Sequence, residues 1–292
     1  MKLGLCLAGG GIKGVAHIGA IKALEEENIK FNYISGTSSG SIVATLYAVG
    51  YTTNEIYNIF EKYANDIKYF DIINLKKIVK NIFLGKGISI DGLNSGQKIN
   101  KLVTEFCSKK KIKNINQVEM PLLIPAVNIH NEELIVFSNN IISNKSDDIK
   151  YVNDVEIGTA VQASCSYPGV FSPTEYKNML LVDGGIAENL PWRETKRAGA
   201  DKVLSIVFVD EKEKSCCKNV LEVLNKSFSI LCHELSKYEW DGTDYLLKIK
   251  MSNTGLLKSK NIKLLYETGY NQTKKEIQKI RRNLYNWNCI IR

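Results

Sequence analysis

The sequence predicts an α/β fold, a central and mostly parallel sheet flanked by helices on both faces within one domain. Two observations carry that expectation. Apolar runs of strand length alternate along the chain with longer helical patterns. The first two apolar runs also end in glycine-bounded bends, Ala8-Gly9-Gly10-Gly11 and Gly36-Thr37-Ser38-Ser39-Gly40, each leading into a helical pattern. No internal repeat, low-complexity tract or Pro/Ser-rich linker divides the 292 residues, a length that can bury a substantial core.

Taken in order, Lys2–Ala8 reads as a strand and Gly14–Glu27 as a helix. Phe31–Ile34 is a second strand and Ser39–Val49 a second helix. Helical patterns then dominate from Thr53 to Cys107. The segment PLLIPAVNIHNEELIVFSN reads as two strands about a polar turn at His130-Asn131. Val155–Cys165 looks helical, and Met179–Val182 and Lys202–Val209 are strands. NKSFSILCHELSKYEW is an amphipathic helix, and Asn261 to Leu284 a basic one. The region 211–292 is therefore expected as a helical C-terminal extension packed on the domain.

Composition narrows the class. Apolar content of 44% and charged content of 24% are those of an ordinary soluble globular protein. No apolar run reaches the roughly 18 residues of a membrane span. The opening MKLGLCLAGGG has too short an apolar core for a signal peptide and reads as a first strand. The seven cysteines are odd in number and irregularly spaced, with no C-x-x-C pair. That argues against a disulfide framework and a zinc site, and fits a reducing cytoplasm. Net charge is +8, with lysines grouped at Lys76-Lys77-Lys80 and Lys109–Lys113. These are solvated faces or a preference for anionic surfaces. Nucleic acid is not suggested, because no aromatic interleaving or binding motif accompanies the charge.

The pattern Gly36-Thr37-Ser38-Ser39-Gly40 is G-x-S-x-G between a strand and a helix. There it strains the backbone of the central serine and lifts its hydroxyl above the carboxyl ends of the strands. The helix start that follows favours developing negative charge. The competing reading is a small-residue turn with a capping serine. A nucleophile on an acyl group also needs oxyanion donors, and the glycines of Gly9–Gly14 expose successive N–H groups at a helix start. The same stretch, Gly9-x-Gly11-x-x-Gly14, matches a dinucleotide fingerprint. That motif expects an acid about 20 positions on, where this chain has Ser35-Gly36-Thr37-Ser38. A P-loop also fails, because Val15 follows Gly14.

A base is needed as well. His17 lies in the first helix, His130 in the hairpin turn and His233 in an amphipathic helix with no turn to deliver it to a site. A conventional triad order would pair His233 with Asp183; a structural role suits it better. Asp183 ends the strand MLLVD before Gly184-Gly185, where α/β sheets carry their chemistry, although a plain Asp-Gly turn accounts for it equally well.

The three features in this order, Gly-Gly-Gly-x-Lys-Gly at Gly9–Gly14, G-x-S-x-G at Gly36–Gly40, and Asp183-Gly184-Gly185, resemble the patatin-like phospholipase family. The resemblance runs over about residues 3–210. It includes Ala163-Ser164-Cys165-Ser166-Tyr167-Pro168-Gly169-Val170-Phe171, with Ser166 in place of a commoner small apolar residue. The region after Asp210 matches nothing in the family pattern.

The resemblance implies a patatin-like three-layer sandwich and hydrolysis of phospholipid or lysophospholipid acyl esters without metal or cofactor. Ser38 would be the nucleophile and Asp183 its base. The Gly10, Gly11 and Ile12 N–H groups would form the oxyanion hole, with Lys13 the basic position of that loop. His17 falls where the family often has a scaffold histidine. Alternatives are a hydrolase of soluble esters or thioesters, a nucleotide-binding oxidoreductase, and a lipid-binding protein without turnover. For contact with an anionic membrane surface, Asp71 to Ile88 carries apolar residues at helical spacing opposite Lys76, Lys77 and Lys80. An ordinary core-packed helix is the competing account of that segment, and the basic C-terminal helix is a weaker interfacial candidate.

Overall fold

The computed structural model describes residues 1–63, 95–140, 142, 148–210, 217, 220–251 and 262–285. The interfacial helix expected at Asp71 to Ile88 lies outside these residues. Strand β1 (Leu3–Leu7) is buried at every position, so its sequence is a continuous apolar run rather than an alternation. It lies between β2 (Tyr33–Gly36) and β8 (Lys202–Asp210), parallel to both.

The remaining strands are β3 (Leu122–Asn128), β4 (Leu134–Ser138), β5 (Ile149–Val152), β6 (Thr174–Tyr176), β7 (Met179–Asp183) and β9 (Tyr245–Met251). Among the described residues they make, with β1, β2 and β8, one nine-stranded sheet in the order β5-β4-β3-β2-β1-β8-β9, with β7 also on β3 and β6 on β7. Pairing is parallel except at β3/β4, β3/β7 and β6/β7.

One register detail builds the site. Strand β3 shares a single edge between two partners: Leu122 and Leu123 pair with Ile34 and Ser35 of β2, whereas Ala126 to Asn128 pair with Asp183 to Leu181 of β7. Because β7 runs antiparallel to β3, its last residue arrives where β2 has just ended. Distant parts of the sequence therefore meet end to end along β3.

Helices cover both faces. On one side lie α1 (Val15–Glu26), α2 (Ser39–Ala48), α3 (Thr53–Tyr63), α4 (Gln97–Lys109) and α5 (Ile157–Ser164), over the larger apolar core. A smaller cluster around Cys6, Leu123, Val203 and Val207 lies under α6 (Trp192–Arg197) on the other. Helix α7 (Val220–Tyr238) crosses the loops at the carboxyl ends of the strands, and α8 (Ile262–Tyr285) returns to pack on α1.

Backbones touch at that last crossing. A Cβ on Gly19 would stand 2.0 Å from the Tyr266 carbonyl oxygen, and one on Gly269 1.9 Å from that of Ala16. Lys274 and Arg281 of α8 pair with Glu27 at the end of α1. The basic C-terminal helix thus buries Ile277, Ile280 and Leu284 in the core and spends part of its charge on this chain's own carboxylates. The region after Asp210 is not purely helical either, since β9 extends the sheet. Its alternation of buried Leu247, Ile249 and Met251 with exposed Lys248 and Lys250 is that of an edge strand.

Candidate active site

Ser38 sits between β2 and α2 with φ 53° and ψ −124°, a backbone conformation that residues with a Cβ rarely adopt. Strain of this kind costs on the order of 1–3 kcal/mol and persists only where the surroundings impose it. Three hydrogen bonds do so. The Ser38 N–H donates to Ser164 Oγ (3.0 Å), the Ser41 hydroxyl donates to the Ser38 carbonyl (2.6 Å), and the Thr37 hydroxyl to the Glu188 carbonyl (3.0 Å). The flanking glycines answer a steric demand. A Cβ on Gly36 would lie 2.4 Å from the Gly40 carbonyl oxygen, and one on Gly40 2.4 Å from that of Leu7. The bend is possible only where strand and helix come this close. The Ser38 side chain is left half-buried rather than enclosed.

The loop after β1 lies against this bend. A Cβ on Gly9 would approach Ser38 Cβ to 3.0 Å, and one on Gly14 would meet Ser39 Cβ at 2.9 Å. The Gly9 N–H donates to Asn189 Oδ1 at 2.9 Å. Gly11 takes a left-handed conformation, φ 61°, and opens a short helical turn over Gly11–Gly14. The Gly10, Gly11 and Ile12 N–H groups find no acceptor among the described residues. Lys13, in contrast, is committed: its ammonium pairs with Asp210 at the end of β8 (2.5 Å). His17 is scaffold. Its Nε2–H donates to the Ala8 carbonyl (2.8 Å) and its ring packs on Phe208, and burial lowers its pKa to about 4, keeping it neutral.

Asp183 closes β7, and the residue is 2% exposed. Oδ1 accepts the Gly185 N–H at 2.8 Å, while Oδ2 is left for the Ser38 hydroxyl, with no other hydrogen-bond partner among the described residues. Burial pushes the pKa up to about 6, against the hydrogen-bonding influence of the Ser38 hydroxyl and the Gly185 amide. Of the residues singled out in the sequence, Ser38, the Gly9–Gly14 loop and the Asp183-Gly184-Gly185 turn are brought together. Gly184 has no room for a Cβ, which would fall 2.5 Å from the Pro125 carbonyl oxygen. His233 is not brought in: it is exposed on α7, with its ring 6.3 Å from that of Trp240. His130 stays exposed in its turn.

Two contributors escaped the sequence reading. Ser164 caps the elbow amide from the end of α5, and Asn189 ties the loop after Asp183 to the first glycine loop. Asn189 is itself held, its N–H donating to Glu239 Oε1 (3.0 Å). Burial raises the Glu239 pKa to about 7 and drives that of Glu188 well up, where Glu194 and Glu239 add repulsion. Ser164 lies inside the segment that resembles the family pattern; nothing local distinguishes Asn189 from any loop asparagine. No group of three or more His, Cys, Asp or Glu is arranged to hold a metal among the described residues.

Known proteins include relatives of this chain. Residues 5–196 match the model of the patatin-like phospholipase family. The chain is 30% identical over 207 residues to the lysophospholipase NTE1 of Meyerozyma guilliermondii, covering 70% of this chain and 12% of that protein. It is 33% identical over 194 residues to a probable lipid hydrolase, 463L, of Invertebrate iridescent virus 6, covering 64% of this chain and 61% of the viral one. The chain therefore spans only part of the length of these relatives. Among solved structures it is similar to VipD from Legionella pneumophila, with a TM-score of 0.54 at 16% identity over 95% of this chain and 67% of that one.

Proposed function

We propose that this chain, which belongs to the patatin-like phospholipase family, cleaves fatty-acyl esters of phospholipids or lysophospholipids through Ser38 and Asp183. The observation that carries the reading is a buried carboxyl with a raised pKa beside a serine held in a strained bend. A carboxylate with a pKa of about 6 is ionised at neutral pH yet basic enough to take a proton. The Ser38 hydroxyl, near enough to the carboxyl to influence its pKa by hydrogen bonding, donates to it as the reaction begins. Its oxygen then attacks the acyl carbonyl as the proton passes to Asp183.

Charge gathers on the carbonyl oxygen in that step. The Gly10, Gly11 and Ile12 amides, which have no acceptor among the described residues, are the donors for it. One such donor is typically worth about 3 kcal/mol of barrier. Asp183 returns the proton to the departing alcohol oxygen, leaving an acyl ester on Ser38. Water then attacks that ester, gives its proton to Asp183, and the fatty acid leaves as the Ser38 hydroxyl is restored. No histidine is required, because the carboxylate alone accepts and returns each proton.

Mass spectrometry of products from mixed phospholipids, wild type against Ser38→Ala, tests this. The wild type is expected to release fatty acid and the matching deacylated lipid, and Ser38→Ala to fall by about a thousandfold or more. Undiminished release by Ser38→Ala would overturn the mechanism. Turnover of soluble esters alone would overturn the substrate.

A further inference from the structure

Helix α7 is amphipathic the wrong way round. Its inner side, toward the site, carries Asn225, Phe228, Ser229, Cys232 and Ser236, mostly small and polar. The large apolar side chains face solvent instead. Seven of the eleven exposed large hydrophobic residues among the described part of the chain belong to this one helix. Leu224, Ile230, Leu231 and Leu235 are each more than half exposed, Leu231 at 61%, and Tyr238 is 79% exposed. At 100° per residue these positions, with Val220 and Val223, fall in one stripe about 140° wide. A patch this concentrated marks a surface that meets something apolar.

Two features identify that something. Lys226 lies along one border of the stripe, in a chain of net charge +8, while Lys237 beside it is paired at 2.5 Å with Glu234, which with Ser227 interrupts the stripe. The Lys226 stem can lie along an apolar surface while its ammonium group reaches anionic headgroups. The helix also roofs the site. The Phe228 ring packs on Tyr167 at 5.5 Å, the Asn225 side chain abuts Gly169, and Glu239, just past the helix, holds Asn189. Cys232 is close enough to Asp183 that, after burial, the carboxylate's charge helps push its thiol up to about 11.

We propose that the outer face of α7 docks on a lipid bilayer containing anionic lipid, seating the mouth of the Ser38 site against the membrane. An acyl chain then passes from bilayer to serine without crossing water, while the polar inner face leaves room for the ester and headgroup. This rests on the lipid-acyl reading of the site, so the test separates the two. Ser38→Ala protein, which should turn nothing over, is sedimented with phosphatidylcholine vesicles with and without phosphatidylglycerol.

Binding is expected to strengthen with phosphatidylglycerol and to weaken at least about tenfold in Leu224→Asp/Leu231→Asp. Leu224→Ser/Leu231→Ser serves if the charged pair does not fold. Equal pelleting of variant and parent, or no pelleting of the parent, overturns the proposal. So does a dimer in sedimentation velocity that the leucine substitutions dissociate with no effect of lipid, because a second copy would then be the occupant. Wild type that pellets by this face yet frees no fatty acid supports the docking surface and sinks the reaction alone.

Discussion

Replacing Asp183 by Asn separates catalysis from stability at one position. The carboxyl ionises near 3.8 in an ordinary setting and at about 6 in the fold, with burial the principal cause. A gap of about 2 units at about 1.4 kcal/mol each amounts to about 3 kcal/mol. The sign follows from proton binding. The folded state holds this proton more tightly than the unfolded chain, so its contribution is fully present below about pH 4 and lost as pH rises through about 6.

At about pH 7.5 the wild type therefore carries an ionised carboxyl in a dry site, and an uncharged amide does not. Asn keeps an Oδ1 to accept the Gly185 N–H but adds two N–H groups needing partners, which trims the gain. Asp183→Asn is expected to be more stable than wild type by about 1–3 kcal/mol at about pH 7.5, with the difference gone by about pH 4. Urea denaturation across that range measures it. Ester hydrolysis should be abolished in the same folded protein, and wild-type kcat/KM should rise with pH through about 6. A variant that keeps its activity, or whose stability difference does not change with pH, would refute the reasoning.

Two other substitutions probe the supports. Asn189→Ala removes the acceptor of the Gly9 N–H and should lower kcat about tenfold to a hundredfold with KM changed far less, as expected for a residue that positions the oxyanion loop; steady-state kinetics on a soluble ester reads this, and an unchanged kcat would discard the role. Gly269→Ala forces a methyl to within 1.9 Å of the Ala16 carbonyl oxygen and should destabilise by about 1–3 kcal/mol or more in chemical denaturation. An unaltered midpoint there would mean that α1 and α8 can part without loss.

What the sequence determined by itself is whatever neighbouring residues impose on one another. The apolar run of β1, buried at every position, identifies a central strand. The glycines around Ser38 announce a bend too tight for side chains, and Asp183-Gly184-Gly185 marks a strand end. Strands β5 and β6 were not legible: they are as short as β2 or shorter, and unlike β2 they are not buried throughout, so no apolar run marks them. Strand β9 does alternate, but within a region whose longer helical patterns dominate. That the Asp183 end of β7 arrives beside the end of β2, which leads into Ser38, was decided by tertiary structure, through a β3 edge divided between the two strands. So were the role of Asn189, reached from Gly9 across the fold, and the outward turn of the apolar stripe on α7. An amphipathic pattern states that a helix has an apolar side, but which way that side faces depends on what the rest of the chain leaves beneath it.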